Sequence, residues 1–414
     1  MKKLLIAGLM TAAFSAHAAK DVQFLHWWTS EGEVNSVEII KDKLVKSGFN
    51  LVSVPVEGGG GKIAKSILQA RAIAGNPPDV AQLEGPSIKS WAALGFLHGI
   101  NDAAEQHKWD ENLFKMARQI HRYDGDYVAI PVTLHRLNWM WVNREVLQRH
   151  QLTIPESWQQ MIEVFADLQQ RGVAPLAIGN EPWQIVQLFE NIAFGLGGAQ
   201  YYKKAYIELD SEALASQTTL EALHLFRQVS TIVLPYITKQ TWDSATQQLV
   251  DGKRAFQITG DWVAGDLMAL DGTFPAHIGC YPTPANEAGF IYNMDSLVLF
   301  KSPRLDAELA NQIVESISDP QLISAFNKQK GSIPPYYNIS LTGFSSCTIE
   351  AYQDFHLAEK QGNLVPSMID SMAVSPVIEK AATNELFRFF NDPSIKPEDV
   401  ILHMQSMGAS NISL

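Results

Sequence analysis

The chain has 414 residues, with 46% hydrophobic and 18% charged side chains and a formal charge of -12. Such a length exceeds what one core usually serves, so two domains are expected in a folded globular protein. The negative balance argues against a nucleic-acid partner, which would need a basic face for the phosphate backbone.

Lys2 and Lys3 precede an apolar run from Leu4 to Phe14 and the triplet Ala16-His17-Ala18, the pattern of a secretory leader over residues 1–18. That run is shorter than the roughly 20 residues a bilayer requires. No later stretch is long enough either, and no cysteine follows the cleavage point to carry a lipid. The expected product is a free periplasmic protein of close to 400 residues, with a charge of -14 once the two leader lysines are gone.

Val22 to Trp27 reads as a strand. Val37, Ile40 and Leu44 then recur at helical spacing up to a stop at Gly48, and Phe49 to Val56 is a second strand. Gly58 to Gly61 open a further helix with Ile63, Ile67 and Ala70 on one side, followed by a short strand over Asp79 to Leu83. Strand, helix, strand, helix, strand predicts a parallel sheet covered by helices. The same grammar resumes after Asp126 with a strand over Tyr127 to Leu134, a helix from Pro155 to Gln170 and a strand over Val173 to Ile178. Helical and mixed sequence follows to Leu249, and Phe290 to Phe300 reads as one long strand. There is no repeat and no flexible linker, so the two lobes are expected to be joined by crossing strands.

Chemical motifs are sparse. Gly58 to Gly61 and Lys62 imitate a phosphate loop, but Ile63 stands where Ser or Thr is required. A tight strand-to-helix turn is the simpler use of these glycines, and their bare N–H groups would suit neutral ligand oxygens. The eleven histidines show no metal-binding spacing, and there is no G-x-S-x-G elbow. No metal or cofactor is expected. Cys280 and Cys347 read as one disulfide in an oxidising compartment, with two buried thiols as the alternative. A loop of roughly 66 residues would contribute about 4 kcal/mol in the chain-entropy picture.

The aromatic pattern carries more. Trp27, Trp28, Trp139, Trp141, Trp183, Trp242 and Trp262 mostly lie at strand ends or in glycine-bearing loops, where core packing would more often use Leu, Ile or Val. A sugar ring presents apolar C–H faces and a rim of hydroxyls. Its site needs flat aromatic walls and polar side chains at the edge. Trp139, Trp141 and Trp158 are assigned to packing.

"HWWTSEGE", "GNPPDVAQLEGPSI", "IPVTLHRLNWMWVN", "IPESW", "GKRAFQITGDW", "NMDSLVLF", "NKQKGSIP" and "LVPSM" occur in this order. Over nearly the whole chain after the leader they resemble the extracellular solute-binding proteins of bacterial ABC sugar importers, most closely the glucose-binding branch. The resemblance implies a two-lobed α/β fold of the periplasmic-binding-protein type II kind. A ligand cleft lies between lobes joined by crossing hinge segments: residues 19–130 with 290–340 for lobe 1, and 131–289 with 341–414 for lobe 2. It implies a binding subunit, not an enzyme, that hands a mono- or short oligosaccharide to a membrane permease. A chemoreceptor or sensor is a further partner compatible with this role, the chain itself acting as a monomer. Both cysteines fall where that branch carries its disulfide.

By the same resemblance Trp27 and Trp28 stack on the sugar, Glu33 accepts from its hydroxyls, and Asn293, Asp295 and Lys330 contact others. His135 contributes from the second lobe, and Trp183 and Trp262 border the cleft. Two positions depart from the branch. Glu84 stands where it carries lysine, and Asp370 where it carries histidine. The ligand therefore stays open between a glucose-like neutral sugar, which the shared contacts favour, and an amino sugar with its ammonium between Glu84 and Asp370. The enzyme rival is a secreted glycosidase using Glu33 and Asp295 as its carboxylate pair.

Overall fold

Fourteen strands organise the computed structural model, which describes residues 19–411; the leader expected over 1–18 lies outside them. In chain order they are β1 (Lys20–His26), β2 (Phe49–Pro55), β3 (Val80–Leu83), β4 (Arg122–Tyr123), β5 (Asp126–Tyr127), β6 (Ile130–Pro131) and β7 (His135–Arg136). Next come β8 (Trp139–Asn143), β9 (Ala174–Leu176), β10 (Arg254–Ile258), β11 (Ile278–Pro282), β12 (Phe290–Asn293), β13 (Ser296–Leu299) and β14 (Leu364–Pro366). One sheet has the order β2-β1-β3-β13-β6 and another β11-β8-β10-β9. A third sheet has the order β14-β12-β7, and β4 and β5 form a hairpin.

β1 runs parallel to β2 and β3, as the alternating strands and helices predict. Helix α1 (Glu31–Lys46) buries Val37, Ile40 and Leu44 at the expected spacing. Its start is fixed by a capping box in which the Ser30 side chain accepts from the Glu33 N–H while Glu33 reaches back to the Ser30 N–H. Helix α2 (Lys62–Ile73) differs from expectation in its buried face. Ala64, Leu68 and Ala72 point inward, whereas Ile63 and Ile67 are exposed. Small side chains on the inner face let the helix lie close to β1, and Lys65 next to Ala64 is thereby aimed at the end of β3.

The largest departure concerns the strand expected over 290–300. It breaks at Met294-Asp295, so that β12 pairs with β7 and β14 while β13 enters the five-stranded sheet between β3 and β6. Hydropathy is continuous through the break and conceals it. The Asp295 carbonyl instead accepts from the N–H groups of Val132 and Thr133. The strand expected over 127–134 is likewise interrupted, shared among β5, β6 and a bridge from Leu134 to Ile333. Both breaks fall where the chain passes from one sheet to the next, and they bring Asn293 into register with His135.

Helices Ala307–Ile317 and Pro320–Lys330 pack against α1, whereas Pro182–Tyr202, Gln217–Val233, Pro376–Asn391 and Pro397–Asn411 pack on one another. Trp139, Trp141 and Trp158 are buried core residues, as assigned. Cys280 in β11 is bonded to Cys347 in helix Ser346–Gln361, with Cα atoms 6.0 Å apart.

Candidate functional site

A cavity of about 490 Å³ opens where these segments meet. All eleven residues expected to bind ligand line it: Trp27, Trp28, Glu33, Glu84, His135, Trp183, Trp262, Asn293, Asp295, Lys330 and Asp370. Trp242, Thr29, Gly59 and Gly60 complete the lining.

The chain leaves β1 at His26 and must reach the Ser30 cap within four residues, so the rings of Trp27 and Trp28 project to different surroundings. Trp28 is 1% exposed, packed against Phe24 and Phe326, and its Nε1–H donates to Asp295 Oδ2 at 3.1 Å. It is a core residue with one edge in the cavity. Trp27 lies over Gly61, where a Cβ would come within 2.7 Å of the ring. Across the cavity Trp183, Trp242 and Trp262 form an edge-to-face cluster, with Trp262 6.0 Å from Trp183 and 6.2 Å from Trp242 between centroids. Gly59 allows the glycine turn to abut the Trp183 ring, which a Cβ would meet at 2.6 Å.

The polar side is an ordered chain of charges. Glu33 Oε2 accepts from the Thr29 and Ser30 N–H groups, and its Oε1 accepts from Lys330 Nζ at 2.8 Å. Both oxygens are therefore engaged, and Glu33 serves α1 and Lys330 besides facing the cavity. Lys330 Nζ also stands 4.0 Å from Asp295 Oδ2. Asp295 Oδ1 accepts from Gln82 Nε2 at 2.9 Å, and Oδ2 accepts from Trp28 and from His135 Nε2 at 3.2 Å. His135 Nδ1 donates to Asp261 Oδ1, so both its nitrogens are occupied within the protein.

Burial opposes charge throughout this chain, and the partners outweigh it. Burial pulls the His135 pKa down, but Asp261 and Asp295 raise it to about 9, leaving an imidazolium at neutral pH. Burial pushes Asp295 up, yet the hydrogen bond and charge of His135, the charge of Lys330 and the Gln82 bond hold it well below the usual carboxylate range. Lys330 is likewise raised, because Glu33 and Asp295 overcome its desolvation.

Glu84 and Asp370 lie in a second polar corner. Lys65 Nζ donates to Glu84 Oε2 at 2.9 Å, to Ser371 Oγ at 2.7 Å and to the Gly60 carbonyl at 3.2 Å. Asn293 Nδ2 donates to Glu84 Oε1 at 3.4 Å. Burial raises the Glu84 pKa to about 7 even beside Lys65, and it raises Asp370 well above the ordinary value, with Glu190, Glu84 and Glu379 adding to the effect.

Among the described residues, three buried polar atoms of the lining have no partner in the protein: Trp262 Nε1, Asn293 Oδ1 and Asp370 Oδ2. Buried polar atoms are rarely left unsatisfied. A donor, an acceptor and a carboxyl oxygen that all line one cavity are matched by a ligand rich in hydroxyls.

The sequence reading did not include Trp242 in the site, although it was one of the tryptophans outside a typical core context. It also missed the supporting residues Lys65, Gln82 and Asp261. Asp261 sits in the quoted "GDW" stretch, a usable signal. Gln82 likewise sits in the quoted "GNPPDVAQLEGPSI" stretch, whereas Lys65 carries no local mark, because only the fold brings it to the cavity.

Geometry and topology together define a two-lobed α/β binding protein with its cavity between the lobes. Residues 42–353 match the family of bacterial extracellular solute-binding proteins, and the chain belongs to that family. It is 32% identical to a probable sugar-binding periplasmic protein of Mesorhizobium japonicum, over 96% of each chain. A structure from work on xylan utilization by the thermophilic bacterium Caldanaerobius polysaccharolyticus superposes with a TM-score of 0.80 at 18% identity, covering 93% of this chain and 99% of that one. A chitin oligosaccharide binding protein gives 0.79 at 14% identity, covering 96% and 100%. Membership settles the choice between binding protein and glycosidase: the chain binds solute and is not an enzyme. Glu33 and Asp295 accordingly hold Lys330 between them. No described helix is long and apolar enough to cross a membrane.

Proposed function

We propose that this chain is the periplasmic receptor of an ABC importer, taking up one neutral mono- or short oligosaccharide of glucose-like shape and presenting it to a membrane permease. The observation that carries this reading is the pairing of a tryptophan wall with a rim whose charged carboxylates already have cations of the chain beside them. Glu33 and Asp295 are countered by Lys330 and His135, and Glu84 by Lys65. Such a rim offers hydrogen bonds without a net demand for a charged ligand, and the aromatic faces suit C–H surfaces. The name carried by the Mesorhizobium relative points the same way.

In this reading the lobes exchange chain near residues 131–135 and 293–296, and the sugar bridges them. Ligand that contacts both lobes favours the closed form, because binding energy is gained there and not in the open one. The permease would recognise that form.

Calorimetric titration of protein freed of bound ligand by unfolding and refolding tests the proposal. The panel is glucose, galactose, mannose, cellobiose and the amino counterpart of each. We expect one-site binding of a neutral member, weakened at least tenfold by Trp262→Ala. Absence of binding by every neutral member would overturn the neutral-sugar reading.

A further inference from the structure

Lys65 is not part of the cavity lining, yet its ammonium is placed where a cationic ligand would otherwise be drawn. Three carboxyl groups face this corner: Glu84 at the end of β3, Asp370 beyond β14, and Glu379 in helix Pro376–Asn391. Glu190 stands behind Asp370, already accepting from Tyr202, Ser367 and the Met368 N–H. Lys65 is a cation whose charge acts on Asp370 from this corner. Its three N–H donors are all spent, on Glu84, Ser371 and the Gly60 carbonyl. Ser371 Oγ passes the link to Glu379 Oε2 at 2.9 Å. The same ammonium lies 5.2 Å from the Trp27 ring centroid, on the ring that borders the cavity. Asp370 is 4% exposed and lines the cavity with its Oδ2 unpartnered, so the corner opens toward ligand.

We propose that Lys65 is a specificity determinant, an internal counter-ion that fills the acidic corner and closes it to cationic sugars, so that hydroxyl sugars bind and their amino counterparts are rejected. The proposal rests on the neutral-sugar reading above and deepens it. A ligand ammonium entering beside Lys65 would meet a like charge in a poorly solvated site, where screening is weak. The carboxyls that would compensate it are already engaged or discouraged from ionising: Glu84 is bonded to Lys65, and burial with the neighbouring acids raises the Asp370 pKa.

The test compares each neutral sugar of the panel with its amino counterpart by calorimetry at pH 6.5, in wild type, Lys65→Met and Lys65→Arg, with circular dichroism to verify folding. The pairs are glucose and glucosamine, galactose and galactosamine, mannose and mannosamine, cellobiose and deacetylated chitobiose. Wild type should favour the neutral member of the bound pair at least tenfold. Lys65→Met should shift that ratio at least tenfold toward the amino sugar, and Lys65→Arg should preserve it. A neutral sugar that binds with the same ratio in Lys65→Met sinks the role of Lys65 and leaves the neutral-sugar reading standing. Loss of all neutral binding in wild type removes both. If Lys65→Met does not fold, the wild-type ratio decides, because equal or tighter binding of the amino sugar shows a corner open to cations.

Discussion

Two clusters of charge border the same cavity and are built on opposite terms. In the cluster of Glu33, Lys330, Asp295, His135 and Asp261, the carboxylates meet cations or N–H donors, and Asp295 is held well below the usual carboxylate range. In the cluster of Lys65, Glu84, Asp370 and Glu379, one ammonium serves three acids whose pKa values all rise. The first fixes the geometry between the lobes. The second leaves Asp370 Oδ2 without a protein partner at the cavity. A buried acid is thus rigid or adaptable according to whether its partners were supplied by the fold.

Removing the shared cation breaks the first cluster most severely. Lys330→Met leaves Glu33 and Asp295 buried with reduced compensation and should cost about 3–5 kcal/mol in denaturant unfolding at pH 7. Trp28→Ala should lose a comparable 3–5 kcal/mol, since a packed ring and the Asp295 donor go together. Trp27→Ala, at the cavity side, should instead show its main loss in ligand affinity.

The same isosteric change sharpens the contrast. Asp295→Asn removes a charged acceptor of several hydrogen bonds and should cost about 1.5–3 kcal/mol. Asp370→Asn replaces a group whose ionisation burial and the neighbouring acids already oppose. The loss should therefore be smaller than that of Asp295→Asn, measured in the same denaturant unfolding at pH 6. Equal losses in the two variants would erase the distinction.

The pH profile separates the clusters as well. His135 is raised to about 9 in the fold, so its contribution is complete below the unfolded value of about 6.5 and is lost as pH climbs through 9. Asp295 is depressed, so its contribution is present above about 3.9 and is lost on acidification. Glu84 is raised to about 7, so its ionisation costs stability between about pH 4.5 and 7. Glu84→Gln should lessen the decline in that middle window, to which the raised Glu190 and Asp266 also contribute, and leave the decline toward pH 9 intact, as read from unfolding free energies across pH.

The candidate site residues were named in the sequence in two ways, the tryptophans from their place at strand ends and in loops, the polar residues from the resemblance of the stretches that hold them. Trp27, Glu33 and Lys330 flank α1 and the end of helix Pro320–Lys330, where hydrophobic periodicity stops. Lys65 was not legible. It is one of several polar residues on a short amphipathic helix, and the inward face of that helix is set by Ala64 and Leu68, not by the larger Ile63 and Ile67. The break at Met294-Asp295 escaped for a related reason: both halves are buried in sheets, so hydropathy does not change where the strand changes partners. The different surroundings of Trp27 and Trp28 are likewise set by long-range neighbours such as Phe326 and Gly61.

β13 lies between β3 and β6 but follows them in sequence by more than 160 residues. While the chain is emerging, the five-stranded sheet therefore lacks an interior member until residues 296–299 arrive, and β3 and β6 present unpaired edges. Such a non-local pairing delays folding of the first half until most of the polypeptide has been made. A truncation ending before residue 296 should remain unfolded or aggregate, because β3 and β6 would both lack the neighbour that the native sheet places between them.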